Sequence, residues 1–300
     1  MTESLIETPA VQDLLTRSSG LERGEGGNGR LKQIVHRLLT DLYRTIDDFD
    51  IQPDEFWAAA QHLTALGQAN EVGLLIPGLG LEAFLDIRTD TAERKAGVKA
   101  GTPRTIEGPL YVAGAPLSDG FARLDDGGEE GKVLIMNGQV RSTDGRPLAG
   151  ALVDVWHANT RGGYSFFDPS QKPYNLRRRI RTDAEGRYRF QSILPSGYGC
   201  PPDGPTQQLL GRLGRHGRRP AHIHFFISAP DHRRLTTQIN IDGDEYLHDD
   251  FAFATRDGLI AKVASAADSS EALITFDFVL HPESPGLPKA EVQRTHAAAS

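Results

Sequence analysis

Cysteine is nearly absent from this 300-residue chain, which contains Cys200 and no second cysteine. A single thiol can form neither an intrachain disulfide nor a zinc site built from cysteine ligands. We therefore expect any metal site to use other side chains. Cys200 lies two residues after Tyr198, and we expect it to be a small packed side chain.

Long apolar runs and an excess of positive charge are also missing. No stretch approaches the roughly 20 apolar residues of a membrane-spanning helix, and MTESLIETPAVQDLL at the start lacks a basic segment followed by an apolar one. The formal net charge is −7, which argues against nucleic acid or an anionic membrane as partner. We expect a cytoplasmic protein with no nucleic-acid partner and no membrane insertion.

The first hundred residues carry the periodicity of helices. In LKQIVHRLLTDLYRTIDDF, residues 31–49, apolar side chains recur at helical spacing. PDEFWAAAQHLTALGQA predicts a second helix, with Pro53 in its first turn, and LGLEAFLDIR predicts a shorter one. The glycine-rich GLERGEGGNGR precedes them as a linker. We predict that residues 1–104 form a helical N-terminal region.

From about residue 105 the pattern changes to short apolar or alternating runs separated by turn residues. The predicted strands lie in GKVLIMNGQVRS, ALVDVWHA, DAEGRYRFQSIL, RPAHIHFFIS, LTTQINI and ALITFDFVLH. Many short strands with such turns are typical of an antiparallel β-sandwich. The prediction is therefore a mainly β protein, in which residues 105–300 form the sandwich and a helical extension precedes it.

Two histidines, His222 and His224, lie in the predicted strand RPAHIHFFIS. Side chains two residues apart in a strand point to the same face, so both imidazoles could bind one metal ion. The pattern occurs in several classes of metalloprotein, and on its own it leaves a purely structural role equally open.

Two sets of side chains could complete such a site. One set consists of acidic residues after the next strand, and one of them with the two histidines would form the facial triad of Fe(II) oxygenases. These acidic residues are Asp242, Asp244, Glu245, Asp249 and Asp250. The other set is Tyr164 and Tyr198, each in a glycine-rich loop. Free tyrosine has a pKa of about 10, so phenolate ligands favour a trivalent ion such as Fe(III).

Long segments of the chain resemble the intradiol ring-cleavage dioxygenases. The resemblance covers roughly residues 30–280 and is carried by EGPLYVAGAP, by DVWHANTRGGYSFFDPSQKPYNLRRRI, and by LPSGYGCPPDGPTQQLLGRLGRHGRRPAHIHFFISAPDHRRLTTQINIDGDEYLHDDFAFATR. It implies a transthyretin-like (prealbumin-like) sandwich. It also implies cleavage of catechol by O2 between the two hydroxylated carbons, which gives cis,cis-muconate in the catabolism of aromatic compounds.

The resemblance also implies the roles of individual residues. The implied Fe(III) ligands are Tyr164, Tyr198, His222 and His224. Tyr198, on its glycine-flanked loop, is the ligand expected to leave when catechol binds. Arg219 and Gln238 match positions that line the site, where a guanidinium could stabilise negative charge. Strict alternation would point Arg219 away from the histidines, so we expect Pro220 to distort the chain.

An apolar substrate pocket is implied by the same resemblance. The predicted pocket residues are Leu74, Pro77, Ile106, Gly108, Pro109, Phe251 and Ala252. The bulk of Leu74 and Ile106 favours catechol itself or lightly substituted catechols.

The N-terminal helices are expected to form a homodimer interface, with a phospholipid bound between the paired helices. A different hypothesis stays open from the sequence. DGRPLAGALVDVW and DAEGRYRF are also common in transthyretin-like modules that bind ligands without catalysis.

Overall fold

The computed structural model describes residues 4–99, 101–265 and 271–283. Within these ranges the helices are α1 (Pro9–Ser18), α2 (Gly29–Asp48), α3 (Pro53–Gln68), α4 (Val72–Gly78), α5 (Leu81–Lys95) and α6 (Pro205–Arg212). Short 3-10 helices lie at Leu5–Glu7 and Leu21–Arg23. No helix in the described ranges combines the length and the apolar character needed to cross a bilayer.

The helices follow from local signals in the sequence. Asn28 caps α2, because its side-chain oxygen accepts a hydrogen bond from the backbone N–H of Leu31 at 3.0 Å. Pro53 begins α3, as predicted. The helix predicted in LGLEAFLDIR, residues 79–88, is α5, which is longer than expected and continues to Lys95. Helix α4 lies before this segment, was not predicted, and is separated from α5 at Gly80, whose φ is +74°. The left-handed conformation there favours glycine and ends one helix before the next begins.

The remaining structure consists mainly of short strands. In chain order they are β1 (Leu117–Asp119), β2 (Phe121–Arg123), β3 (Val133–Ser142), β4 (Leu152–His157), β5 (Arg177–Arg181), β6 (Arg187–Ile193), β7 (Tyr198–Gly199), β8 (Arg218–Arg219), β9 (His222–Ser228), β10 (Leu235–Ile241), β11 (Ile260–Ala261), β12 (Ala264–Ser265), β13 (Ala272–Thr275) and β14 (Phe278–Leu280). A sheet-rich protein with N-terminal helices is confirmed.

The strands form two six-stranded sheets and one two-stranded ladder. The first sheet has the order β1-β5-β4-β9-β10-β11, and the second has the order β12-β13-β3-β6-β2 with β14 also paired to β3. Pairing is antiparallel along β5-β4-β9-β10, between β3 and β6, and between β12 and β13. It is parallel between β1 and β5, between β2 and β6, between β10 and β11, and between β3 and each of β13 and β14. The sheets are therefore mixed, whereas the sequence predicted antiparallel pairing throughout.

One buried apolar cluster takes side chains from both six-stranded sheets. The first sheet contributes Val153, Val155, Ile223, Phe225 and Ile239, and the second contributes Leu134, Met136, Phe190, Ile274 and Phe278. Each fully buried side chain of this size stabilises the fold by about 1.5–3 kcal/mol relative to an exposed one. Strand β9 is buried along nearly its whole length, so the residues of its other face also lie in a dry environment.

The contacts of the chain divide it into two compact units, residues 1–65 and 66–300. The functional boundary between residues 104 and 105 stays a prediction. All residues of the candidate site belong to the second unit.

Candidate metal centre

Strand β9 brings His222 and His224 together on one face of the first sheet. Its antiparallel neighbours β4 and β10 hold it on both sides, and both imidazoles are buried. The two Nε2 atoms are 3.1 Å apart and the ring planes are 86° to each other. The two imidazoles therefore lie on the same face of the strand, as the sequence predicted.

Both imidazoles are neutral at neutral pH. Nδ1 of His222 lies 2.7 Å from the carbonyl oxygen of Pro220, which can only accept, so this nitrogen carries the proton and Nε2 keeps its lone pair. Burial and, to a lesser extent, the charge of Arg219 lower the pKa of His222 to about 3. Burial, with His222 and Arg219 nearby, also lowers the pKa of His224 well below its usual value. Metal binding requires this neutral form.

Backbone pairing fixes Tyr198 beside the histidines. Strand β7 pairs with β8, which sets Tyr198 opposite Arg219, and the Tyr198 hydroxyl is 3.4 Å from Nε2 of His222. A Cβ atom on Gly197 would lie 2.4 Å from the carbonyl oxygen of Arg219, so only glycine permits this approach. The sequence predicted a flexible, glycine-flanked loop here, but the short ladder holds the backbone of Tyr198.

Tyr164 approaches from the loop after β4. Its side chain is 2% exposed, and its ring is nearly perpendicular to that of Tyr198, with the centroids 5.5 Å apart. Among the described residues its buried hydroxyl has no hydrogen-bond partner. Burial raises the pKa of Tyr164 well above its usual value of 10, and the neighbouring Tyr198 raises it further. A phenolate at this position therefore needs positive charge nearby.

Arg219 points into the same site. Strand structure is interrupted at Pro220 and Ala221, between β8 and β9. The side chain of Arg219 is therefore not bound to the alternation of side chains along β9. Its Nη1 lies 3.0 Å from Nε2 of His222, and its Nη2 donates to Oε1 of Gln238 at 2.8 Å. The sequence left the orientation of Arg219 open, and the structure shows it turned inward.

Asp250 holds the guanidinium of Arg219. Nε and Nη2 of Arg219 donate to the two carboxylate oxygens of Asp250, each at 3.1 Å. Burial would raise the pKa of Asp250, but the charge and hydrogen bonds of Arg219 outweigh burial and lower it. The guanidinium therefore stays in place as a buried, fixed positive charge.

Gln238 is buried on β10, where it lies opposite His224 in the ladder. Its Oε1 accepts from Arg219, and its Nε2 donates to Oδ1 of Asn240 at 3.2 Å. Both ends of the amide are thus engaged, which fixes the side chain beside the guanidinium.

Three of the five acidic residues that could have supplied a third ligand have other partners. Asp244 accepts hydrogen bonds from the backbone N–H groups of Ala221 and Tyr246, each at 2.9 Å. Asp249 pairs with His216 at the surface, and Asp250 pairs with Arg219. In the part of the chain that the structure describes, no three His, Cys, Asp or Glu side chains are grouped so that they could hold a metal. The facial-triad hypothesis therefore has no support in this geometry.

The two tyrosines and two histidines fit a trivalent metal ion. Metal–nitrogen bonds are about 2.1 Å long, so two ligand nitrogens at right angles lie roughly 3 Å apart, close to the observed separation of the two imidazoles. The Tyr164 hydroxyl, which is buried and has no hydrogen-bond partner in the part of the chain that the structure describes, would gain a partner from the ion. Two neutral nitrogens with two ionisable phenols suit a hard, highly charged ion better than Zn²⁺ or Mg²⁺.

Most of the predicted pocket residues lie in one apolar cluster. Ile106, Phe251 and Ala252 are buried in it, and Leu74 of α4 packs against it together with the buried Cys200. Gly108 lies against the His224 ring, since a Cβ there would be 3.5 Å from Cε1. Pro77 is buried in α4. Pro109 is exposed, and its Cβ lies 3.1 Å from the position of a Cβ on Gly73.

Two further residues border the ligands and were not singled out from the sequence. Trp156 stacks on the His224 ring at 4.9 Å with 6° between the planes, because it lies opposite His224 in the β4–β9 ladder. Arg177 lies near the ring of Tyr164. A cross-strand partner and a buried arginine both depend on long-range pairing, which the local sequence does not signal.

Comparison with known proteins gives matches along nearly the whole chain. The family model described as Dioxygenase matches residues 106–282, and the one described as Catechol dioxygenase N terminus matches residues 28–97. Catechol 1,2-dioxygenase 2 of Acinetobacter lwoffii is 66% identical over 86% of this chain and 93% of its own length. Chlorocatechol 1,2-dioxygenase of Rhodococcus opacus is 37% identical over 80% of this chain and 94% of its own.

A similar solved structure is that of the catechol 1,2-dioxygenase from Acinetobacter sp. ADP1 inhibited by bound mercury. It superposes with a TM-score of 0.95 at 51% sequence identity, over 99% of this chain and 100% of that chain.

Proposed function

The chain belongs to the catechol dioxygenase family, and we propose from this that it cleaves catechol between its two hydroxylated carbons, with O2 as the second substrate, to give cis,cis-muconate. The observation that supports this most is the meeting of two phenols and two neutral imidazoles from separate segments, with the Nε2 atoms of His222 and His224 3.1 Å apart. The reaction belongs to the catabolism of aromatic compounds.

Tyr164, Tyr198, His222 and His224 hold non-haem iron as Fe(III) in this proposal. When bound, the ion supplies Lewis acidity and a template that orients the two oxygens of catechol. The two imidazoles contribute as neutral ligands, which their depressed pKa values support. The two tyrosines contribute negative charge.

The tyrosines take different parts in the reaction. Tyr164 is buried with its hydroxyl enclosed, so it stays in place, whereas Tyr198 is partly exposed. Tyr198 Oη receives a proton from a catechol hydroxyl and swings aside. Because the ladder of β7 with β8 holds its backbone, the side chain moves rather than the loop.

Arg219 supplies a fixed positive charge next to the reacting oxygens. Its Nη1 group lies within 3.5 Å of both the Tyr198 hydroxyl and Nε2 of His222, so negative charge that develops on the ring during cleavage is stabilised without reorganisation. Gln238 orients the guanidinium and does not itself carry charge.

The predicted pocket residues enclose the ring of the substrate. The cluster of Ile106, Phe251 and Ala252 with Leu74 supports a small apolar pocket that excludes water and accepts catechol or lightly substituted catechols.

The fold and assembly are proposed from the same membership. The shared apolar cluster supports a transthyretin-like sandwich of the two sheets, which are mixed rather than antiparallel throughout. The N-terminal region, residues 1–104, forms a homodimer interface that binds phospholipid. Its α2 has apolar side chains exposed on one face, at Leu31, Ile34, Leu38 and Leu42. The cytoplasm is the proposed location.

Product analysis tests the proposed reaction. The Fe(III)-loaded protein is incubated with catechol under ¹⁸O2, and the product is identified by its ultraviolet spectrum and mass. We expect cis,cis-muconate with both ¹⁸O atoms incorporated. A ring-opened semialdehyde, which results from cleavage beside the hydroxylated carbons, would refute the proposal.

A further inference from the structure

Arg177 at the start of β5 is a buried cation with only neutral hydrogen-bond acceptors. Its side chain is 1% exposed. Nε donates to the hydroxyl oxygen of Ser165 at 2.8 Å, and Nη2 donates to the carbonyl oxygens of Leu110 at 2.8 Å and Ser165 at 3.2 Å. Across the described residues it forms no ion pair with a carboxylate. The chain therefore holds a guanidinium in its interior without the usual counter-ion.

Such an arrangement is costly. Arginine is almost never fully buried unless it is paired, because removing its charge from water is expensive. Burial lowers the pKa of Arg177 to about 10, which leaves the guanidinium charged at neutral pH. Its Nη1 is buried and has no hydrogen-bond partner in the described part of the chain. The three hydrogen bonds to neutral acceptors therefore compensate the burial of this charge only in part.

Asp154, an acidic side chain whose charge acts on Arg177, compensates poorly. Asp154 is itself buried, and burial raises its pKa to about 6. Its Oδ2 accepts a hydrogen bond from the hydroxyl of Tyr111 at 2.7 Å, which ties the carboxylate to another partner. Asp154 is therefore not the dedicated partner that a buried arginine normally has.

Tyr164 is the other group against the guanidinium. Cζ of Arg177 lies 5.8 Å from the centroid of the Tyr164 ring. Ser165, the next residue, supplies two of the three acceptors that hold the guanidinium, so the loop that positions Tyr164 also positions Arg177. The positions of the guanidinium and the phenol ring are therefore fixed relative to each other by the same loop.

We propose that Arg177 is the counter-charge of Tyr164 when this tyrosine is ionised as a metal ligand. The inference rests on the proposed function, since it assigns a role toward the iron of that site. Arg177 is a positioning residue, because it acts on the metal through Tyr164 and touches neither metal nor substrate. A cation beside the ring lowers the energy of the phenolate, so it favours iron binding and strengthens the hold on Fe(III).

The proposal predicts two measurable changes when the charge is removed. Arg177→Met should bind Fe(III) about 10- to 100-fold more weakly, the usual range for loss of a residue that supports a metal ligand. The visible tyrosinate-to-Fe(III) charge-transfer band should move to lower energy, because the donor orbitals of the phenolate rise when the neighbouring cation is lost. Arg177→Lys, which keeps the charge, should restore most of both properties.

The experiment compares iron affinity, measured by competition with nitrilotriacetate, and the band position. The matched control is Arg178→Met, which removes the same charge from the next residue of β5. Arg178 is partly exposed and donates to the backbone carbonyls of Tyr174 and Arg177. We expect the control to match the parent protein in both measurements. Equal iron affinity and equal band position in Arg177→Met and the parent would overturn the inference.

A second variant covers the case in which Arg177→Met does not fold. Ser165→Ala keeps the cation but removes the hydroxyl that accepts from Nε, so the guanidinium loses its fixed place near the ring. We expect a smaller shift of the band in the same direction, and an unchanged band would overturn the inference. A parent protein that binds Fe(III) without any tyrosinate band would instead refute the proposed metal site itself.

Discussion

Arg219 and Asp250 form an ion pair whose side chains are 3% and 1% exposed, with Nη2 and Oδ2 3.1 Å apart. The same guanidinium lies 3.0 Å from Nε2 of His222 through its Nη1. One buried pair thus links the loop after β10 to the candidate metal centre. The charge proposed to act on the substrate also contributes to the fold.

Replacing Asp250 by Asn should destabilise the protein strongly. The guanidinium of Arg219 would keep its charge in a buried place without a counter-ion, which costs about 3–5 kcal/mol in the free energy of unfolding. Asp249→Asn is the matched control, because the neighbouring Asp249 is exposed in a surface pair with His216. Denaturant unfolding of the metal-free variants measures both changes. An equal loss in the free energy of unfolding for the two substitutions would show that the buried pair contributes no more to stability than the surface pair.

Stability of the metal-free protein should fall as the pH drops below about 6.5, the value for a free histidine. Burial lowers the pKa of His157 to about 4, so between these values the unfolded chain binds a proton that the folded chain excludes. Between about pH 4 and 6.5 this one residue should contribute a slope of up to about 1.4 kcal/mol per pH unit. Its contribution to stability is complete above pH 6.5 and is lost as the pH falls toward 4.

His157→Gln should remove the contribution of His157 to the pH dependence of stability between about pH 4 and 6.5. Glutamine can still accept from the hydroxyl of Ser192, which lies 2.7 Å from Nε2 of His157, but it does not titrate. Urea unfolding at a series of pH values measures the slope, and the exposed His248→Gln is the control. A slope unchanged by His157→Gln would mean that this imidazole is protonated in the folded protein.

Arg215 should govern the width of the substrate pocket. Its guanidinium donates to the carbonyl oxygens of Gly78, at the end of α4, and Phe251, and it lies 4.7 Å from the centroid of the Phe253 ring. It therefore joins the two walls that carry the predicted pocket residues. In Arg215→Met we expect a higher KM for catechol, with kcat changed less and weaker discrimination against 4-methylcatechol.

The exposed Arg212→Met on the preceding helix is the control for that prediction. Steady-state kinetics with catechol and 4-methylcatechol supply the ratio of kcat/KM. A loss of kcat with an unchanged ratio would show that Arg215 does not set the pocket width.

The fold was predictable where the signal is local. Helix α2 was predicted over residues 31–49 and spans Gly29–Asp48. Its signals, an apolar stripe at helical spacing and the cap at Asn28, involve only residues that are close together in the sequence. The parallel pairing of β13 and β14 with β3 was not predicted. Alternation indicates a strand but neither its partner nor its direction, so the pairing of strands from distant segments of the chain cannot be predicted from it.

The site was predictable in its ligand types and not in its supporting contacts. Alternation alone brings His222 and His224 to one face, but the choice of the two tyrosines over the acidic residues needed the resemblance. Asp250 was considered as a metal ligand, whereas it pairs with Arg219. Arg177 lies in the basic run LRRRIR, which suggests a solvated edge, and only the pairing of β5 shows that this arginine is buried.

The central claim is that the iron is bound by Tyr164, Tyr198, His222 and His224. The visible spectrum of the Fe(III)-loaded protein tests this claim most directly. We predict a tyrosinate-to-Fe(III) charge-transfer band that weakens and shifts in Tyr164→Phe and in Tyr198→Phe. It should be unchanged in Tyr246→Phe, which removes a hydroxyl from the loop after β10. A colourless iron-loaded protein, or a band that survives both ligand substitutions unaltered, would contradict the account.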